Sequence, residues 1–290
     1  MLPTHFYLIL VIAITIIITI YYYKVKNQHN VNEPYDIDEM NISNTLLIKK
    51  INNYINYFIP NLKDPPIIPL KIFQTWHSKN LPPEMKKCVF SLKKSNPEFE
   101  YYIFDDNDCR EFIKNHFSIA VLNAFDKLKP GAFKADLWRC CILYVYGGIY
   151  LDIKFSCVNG FKFITLTNDE YFVRDYGNDL AVYNALMICK PHNHILLNSI
   201  KQIVQNVELE YYGTSPLEVT GPKMMIKFFT PNEKRNLNRL YLKVSGNDLY
   251  IINEDNKPIL KNYAKYKVER QTFQINQHYS VLWGNHNIYN

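Results

Sequence analysis

The chain carries no long run of one charge: 33 basic and 27 acidic residues, a net charge of +6, are interspersed through 290 positions. That mixture excludes a dedicated nucleic-acid surface and supports only a mild attraction for anionic ligands. Its six cysteines, Cys88, Cys109, Cys140, Cys141, Cys157 and Cys189, show no paired spacing. A zinc motif and a disulfide scaffold are therefore not specified, and the redox compartment stays open. Glycine is scarce, nine residues beside abundant Asn, Ile, Lys and Tyr, which reads as coding bias more than as mechanism. No internal repeat is found.

What is present begins with size. At 48% hydrophobic content the chain can bury one substantial core and has room for an extra segment. After a tail of residues 1–5, residues 6–23 (FYLILVIAITIIITIYYY) carry no charge; as a helix they would rise about 27 Å, close to the hydrocarbon thickness of a bilayer. A single-pass transmembrane helix is expected there. A cleaved signal peptide would need a basic start and small residues at a cleavage point. This run ends instead in Tyr21, Tyr22 and Tyr23, suited to the aromatic belt of an interface, and in Lys24. Lys24 and Lys26 favour a cytoplasmic C-terminal domain, whereas Asn41-Ile42-Ser43 is a glycosylation acceptor pattern that fits a lumenal one.

Residues 24–65 form a stem, polar and Asn-rich at first, with Leu47, Ile51, Ile55 and Phe58 at helical intervals before Pro60. Pro65-Pro66 marks the entrance to a catalytic-size domain over 66–290. From Lys71 onward short apolar runs alternate with helical stretches. This is the pattern of an α/β layer fold with a largely parallel sheet, in which ligands gather at the carboxyl ends of strands. The first run, Lys71-Ile72-Phe73, opens at Gln74-Thr75-Trp76; an indole there gains mainly by burial, so the residues alone favour core over ligand platform. Asn96-Pro97 turns the chain into a strand, Glu100-Tyr101-Tyr102-Ile103-Phe104. The cluster Asp105-Asp106-Asn107-Asp108 lacks the glycine and closing glutamate of a calcium loop. Helix capping explains it, with Phe112, Ile113 and Phe117 on the inward face.

Chemistry becomes specific in FKADLWRCCILYVYGGIYLDIK, from Phe133 to Lys154. Asp136 and Arg139 lie three apart on one face of a helix beginning near Ala132, either as a surface ion pair or as a grip on a sugar and its phosphate. Gly147-Gly148 stops that helix, and residues 149–155 alternate as a strand with Asp152 and Lys154 on one face. Breaking a nucleotide-sugar bond leaves a diphosphate with new negative charge, which a metal ion, cationic side chains or aimed dipoles must compensate. Two carboxylates one residue apart could hold such a metal jointly. Asp152 has Lys154 in place of a second carboxylate, either a cation standing in for part of the metal's role or the mark of an altered site. A strand-end carboxylate contributes little to a core, so Asp152→Ala is expected to abolish transfer and spare folding.

Ile72-Phe73-Gln74-Thr75-Trp76, then Asn96-Pro97-Glu98-Phe99-Glu100-Tyr101, then Gly131-Ala132 through Asp152, in this order, resemble glycosyltransferase family 32. This is the DXD-containing sugar-binding group that includes fungal outer-chain mannosyltransferases; the large glucosylating bacterial toxins are similar more distantly. The resemblance implies a Rossmann-like nucleotide-sugar-binding fold of the GT-A type, a nucleotide-sugar donor, and a glycan, protein or lipid acceptor. It implies retention of configuration and a divalent metal, Mn2+ or Mg2+. Position by position, it implies that Trp76 lies beside the nucleotide base and that Asp136, Arg139 and Asn184 hold the donor. Asp152 and His278 are the implied metal ligands, and Asp152, Arg139 and Lys154 carry the chemistry, Lys154 standing where the family has its second aspartate. Thr220-Gly221-Pro222 resembles a later loop of the family, and His278 with Trp283 its closing pair. The family further implies a lumenal catalytic domain, Golgi- or ER-like, on a single-pass anchor.

Two other classes compete. A membrane-anchored binding or scaffold protein could keep this fold without activity. A metal-dependent hydrolase could use Asp105, Asp106 or Asp108, although no His or Glu cluster accompanies them.

Overall fold

A computed structural model of the chain describes residues 66–177, 181–275 and 277–290. The expected transmembrane helix at 6–23, the tail, the stem helix and the Asn41 pattern lie outside the described residues. Among the described residues no helix is long and apolar enough to cross a membrane.

The expected first strand forms as β1 (Lys71–Thr75), and the aromatic run forms β2 (Glu100–Phe104) beside it, parallel, with Ile72 opposite Tyr101. On the other side of β1 lies β3 (Gly148–Leu151), also parallel. These three strands are the part of the sheet that the alternating pattern announced. The remainder corrects the expectation of a largely parallel sheet. β3 pairs antiparallel with β6 (Val182–Cys189), and β6 pairs antiparallel with β5 (Tyr171–Arg174). Beyond a short parallel contact with β5, β7 (Leu240–Ser245), β8 (Asp248–Asn253) and β9 (Pro258–Asn262) run antiparallel in sequence, and β9 ends against β4 (Phe155–Cys157). For β7 and β8 the cause is local: Gly246-Asn247 forms a two-residue turn between Ser245 and Asp248, with Gly246 at φ 58°, and such turns make antiparallel hairpins.

The strand order β2-β1-β3-β6-β5-β7-β8-β9-β4 separates β3 from β4 by five strands. In the chain only residues 152–154 join them, a span of about 10 Å. The sheet therefore curls back on itself, and residues 152–154 lie at its seam. This corrects the expected continuous strand over 149–155. The strand ends at Leu151, the Asp152 amide donates to the Ala185 carbonyl at 2.7 Å, and Phe155 closes a turn by donating to the Asp152 carbonyl at 3.1 Å.

The helices pack around this sheet as α1 (Pro83–Ser95), α2 (Asp106–His116), α3 (Ile119–Lys127), α4 (Gly131–Tyr146), α5 (His194–Glu208), α6 (Pro222–Met225), α7 (Pro231–Asn236), α8 (Tyr266–Phe273) and α9 (Tyr279–Gly284). Asp105 caps α2 in a reciprocal box with Asp108, so the aspartate cluster does what capping asks of it. One core gathers Phe73, Trp138, Tyr150 and Met187 with the helices, and a second gathers Ile72, Ile149, Leu186 and Ile188 on the opposite face of the same strands. Alternate residues of a strand point to opposite faces.

α4 is buried through its middle, from Asp136 through Leu143, as a helix segment apolar on nearly every side must be. Gly147 and Gly148 end it at φ 61° and 98°. A Cβ on Gly148 would stand 2.7 Å from the Lys71 carbonyl oxygen, so only glycine lets the chain turn from α4 straight into the slot beside β1.

Candidate active site

The site is built where α4, the end of β3 and the middle of β6 meet. Asp136 and Arg139, read from the sequence as a possible surface pair, are only 9% and 6% exposed. Asp136 Oδ1 accepts from the Asn184 amide at 3.0 Å and Oδ2 from the Thr220 hydroxyl at 2.8 Å, while Arg139 Nη2 stands 3.4 Å from Oδ1. Burial raises the Asp136 carboxyl above its ordinary value, opposed by Arg139 and by both hydrogen bonds. A buried carboxylate with every lone-pair direction addressed is a positioned group.

Arg139 is the hub. Its Nε donates to the Ala135 carbonyl at 3.1 Å and Nη1 to the Asn184 carbonyl at 2.8 Å. Nη1 also lies 3.6 Å from Asp152 Oδ1, and the guanidinium sits 4.4 Å over the Tyr150 ring. It thereby links helix, strand end and β6, as a planar fork with five donors can.

Asp152 is held from three sides. The Tyr150 hydroxyl donates to Oδ1 at 2.8 Å, Lys154 Nζ bonds Oδ2, and the buried Gln74 amide reaches the Asp152 carbonyl at 3.5 Å. Burial pushes the Asp152 carboxyl up, but Lys154 and Arg139, with the bonds from Lys154 and Tyr150, outweigh it and hold the group below its ordinary range. Lys154 is 8% exposed, and its ammonium lies 5.2, 5.4 and 5.7 Å from the ring centres of Phe155, Tyr183 and Tyr266. Burial lowers its pKa, and Asp152, Tyr183 and Tyr266 together drive it well above the usual lysine value. At neutral pH Asp152 is an anion and Lys154 a cation.

The structure thus brings Asp136, Arg139, Asp152, Lys154 and Asn184 into one centre. Trp76 lies just past the end of β1, half-buried beside Ile153, Tyr101 and Tyr266, and its indole N–H is buried without a partner. A burial-only role leaves that N–H a cost, whereas a ligand oxygen at the seam would satisfy it. His278 is placed differently from its expected part. It caps α9, its Nδ1 3.4 Å from the Ser280 amide and 2.7 Å from the Ser280 hydroxyl. Trp283 donates its N–H to the Tyr212 carbonyl at 2.7 Å, a structural bond.

The residues present do not by themselves enclose a divalent metal, and Lys154 sets a positive charge against Asp152, the carboxylate expected to hold one. Among the described residues no three His, Cys, Asp or Glu side chains gather as a set that could hold one. Each Asp152 oxygen already receives one donor, and on Oδ2 that donor is an ammonium whose charge opposes a cation bound to the same carboxylate.

Sequence reasoning missed Tyr183 and Tyr266 altogether and quoted Tyr150, Thr220 and Gln74 only within motifs. Tyr183 and Asn184 are neighbours on β6 and so serve opposite faces, Lys154 and Asp136 respectively. No spacing in the sequence signals that α8 brings Tyr266 to the seam. Arg270, also on α8, acts electrostatically on His278 and Tyr279, and its Nε is buried without a partner.

Residues 82–172 match the family model described as a glycosyltransferase sugar-binding region containing DXD motif. An uncharacterized glycosyltransferase of Acanthamoeba polyphaga mimivirus is 38% identical over 93 residues, 31% of this chain and 37% of its own. Inositol phosphoceramide mannosyltransferase 2 of Schizosaccharomyces pombe is 30% identical over 174 residues, 59% of this chain and 49% of its own. The chain spans about half the length or less of these curated relatives. Among solved structures, the PaToxG glycosyltransferase aligns with 20% identity and a TM-score of 0.45 over 66% of this chain and 78% of its own. The matched segment, which runs from α1 to the start of β5 and holds Asp136, Arg139, Asp152 and Lys154, is similar to a glycosyltransferase sugar-binding region. Over it the resemblance to glycosyltransferase family 32 is borne out.

Proposed function

We propose that this chain transfers a hexosyl group from a nucleoside diphosphate sugar to a hydroxyl of a glycan, protein or lipid acceptor. The observation that carries the reading is the buried network at the carboxyl end of β3, in which Asp136, Arg139 and Asp152 of the matched segment are joined by Asn184 and Thr220 from beyond it. The names of the fungal relatives specify mannosyl transfer and, in the S. pombe protein, inositol phosphoceramide; mannose and a lipid-borne hydroxyl are accordingly the favoured pair for this chain. A span at 6–23 would keep the domain beside such an acceptor.

In the proposed step the bond between the sugar's anomeric carbon and the diphosphate oxygen breaks. A bond from that carbon to the acceptor oxygen forms, and the acceptor's proton passes to the departing phosphate. Asp136 and Asp152 both have their oxygens engaged by donors, so neither serves as a free base. The leaving phosphate takes that role on the face it departs from, which retains configuration. Arg139 and Asp152 fix the donor, and desolvation strengthens each charge interaction around it.

The test is nucleoside diphosphate release by the full-length protein across a panel of nucleoside diphosphate sugars, with the product anomer read by NMR. Release with one donor and a retained anomer supports the reading. Tight binding of a donor without turnover would establish instead the inactive binding protein, and no interaction with any donor would reject both.

A further inference from the structure

We infer that Lys154 is a tethered cation that replaces a divalent metal, so that this site binds the diphosphate of its donor without any metal ion. The inference rests on the donor-site reading above and concerns how that same site balances charge.

Three observations support it. First, the ammonium is fixed on Asp152 Oδ2, so that the carboxylate's charge is already met by a cation, and Tyr150 donates to the other oxygen. Second, Phe155, Tyr183 and Tyr266 surround the ammonium at 5.2–5.7 Å. Ring faces stabilise a cation that has left water, and a cage of three holds the lysine in this one place rather than letting it swing to solvent. Third, the charged groups at the centre balance: Asp136 and Asp152 against Arg139 and Lys154. A divalent ion entering a neutral quartet meets no net negative charge to hold it.

The ammonium keeps capacity for a ligand. Asp152 and the Tyr183 hydroxyl engage two of its three N–H donors, and an ammonium has a third. An incoming diphosphate oxygen can take that place. The departing nucleoside diphosphate carries one more negative charge than it had in the donor. Lys154 and Arg139 then meet it as fixed positive charges, the role that dipoles and cations play around a developing anion.

The experiment is calorimetric titration of the full-length protein with GDP and with UDP, in EDTA and in Mn2+, alongside Mn2+ titration of the nucleotide-free protein. The expected result is that one nucleotide binds in EDTA with an affinity within about threefold of that in Mn2+, and that the free protein takes up no Mn2+. Lys154→Asp should lose at least about tenfold in affinity in EDTA and regain it in Mn2+. Lys154→Met should lose it in both. The wild-type arms decide the question even where a variant fails to fold. Nucleotide binding that requires Mn2+ would overturn the tethered-cation role and leave the donor site standing. Absence of binding by either nucleotide under every condition would overturn the donor site itself.

Discussion

Arg139, in the middle of a buried helix, stands 3.6 Å from Asp152 at the end of the following strand. The two glycines between them exist to make that approach: they end α4 and return the chain beside β1 with no side chain in the way. Once Arg139 and Lys154 are counted, Asp152 is no longer a detachable strand-end carboxylate.

Asp152→Asn should therefore do two things. Nucleotide-sugar turnover should fall at least a hundredfold, and the folded state should lose on the order of 3 kcal/mol, because the buried Lys154 is left without its anion and Arg139 keeps only Asp136. The sequence-based expectation that folding survives intact gives way to this one. Parallel turnover and urea-denaturation measurements check it; an unchanged denaturation midpoint would show that the pair carries no stability.

Proton linkage gives a second prediction. Asp152 is held below its ordinary value of 3.8 in the folded protein, so its contribution is present above that pH and is lost as pH falls through the lower folded value. In Lys154→Met the largest opposing charge is gone while burial remains, and the Asp152 pKa rises. Its stabilisation is then lost at a higher pH than in the wild type. Denaturation midpoints followed from about pH 3 to pH 7 should show the acid limb displaced upward in the variant, and superimposable limbs would contradict the arrangement.

Asp136 offers a cycle. Thr220→Val and Asn184→Ala each strip one hydrogen bond from the same buried carboxylate, at a cost of about 1–3 kcal/mol each. Because the partner is shared, the double variant should depart from additivity by more than about 0.5 kcal/mol. Additive losses would mean that the two bonds do not serve one group.

Trp76→Phe separates core from platform. The substitution deletes a buried N–H that has no partner in the protein, so stability should change by less than about 1 kcal/mol. Affinity for the donor nucleotide should fall at least about fivefold if the indole N–H serves the ligand. Thermal melts with and without nucleotide give both numbers; unaltered affinity would return Trp76 to the core.

The sequence carried much of the first half of this domain. Local signals are strong there: alternating apolar residues at β1 and β2, the Asp105 cap, and the Gly147-Gly148 stop. Asp136, Arg139 and Asp152 stood out because their chemistry is unusual for a helix and strand so apolar. The burial of the Asp136–Arg139 pair was not legible, since spacing of three describes a surface pair equally well. Nor was the curl of the sheet. The pairing of β4 with β9 joins residues about a hundred positions apart, and no local periodicity encodes it. Tyr183 reaches Lys154 through the pairing of β6 with β3, and Tyr266 follows β9, so the cage was invisible until the strand pairings were seen. His278, the metal ligand that the resemblance implies, caps α9 through Nδ1, a local role that the motif match did not signal.

The most direct test is photolabelling of the full-length protein with a nucleotide sugar bearing its photoreactive group on the sugar, followed by peptide mapping. The label should fall on peptides containing Asp136, Asp152 or Asn184 and be competed away by unmodified donor. Competable labelling confined to the β7–β9 hairpins, with those peptides untouched, would contradict the assignment of the buried centre as the donor site.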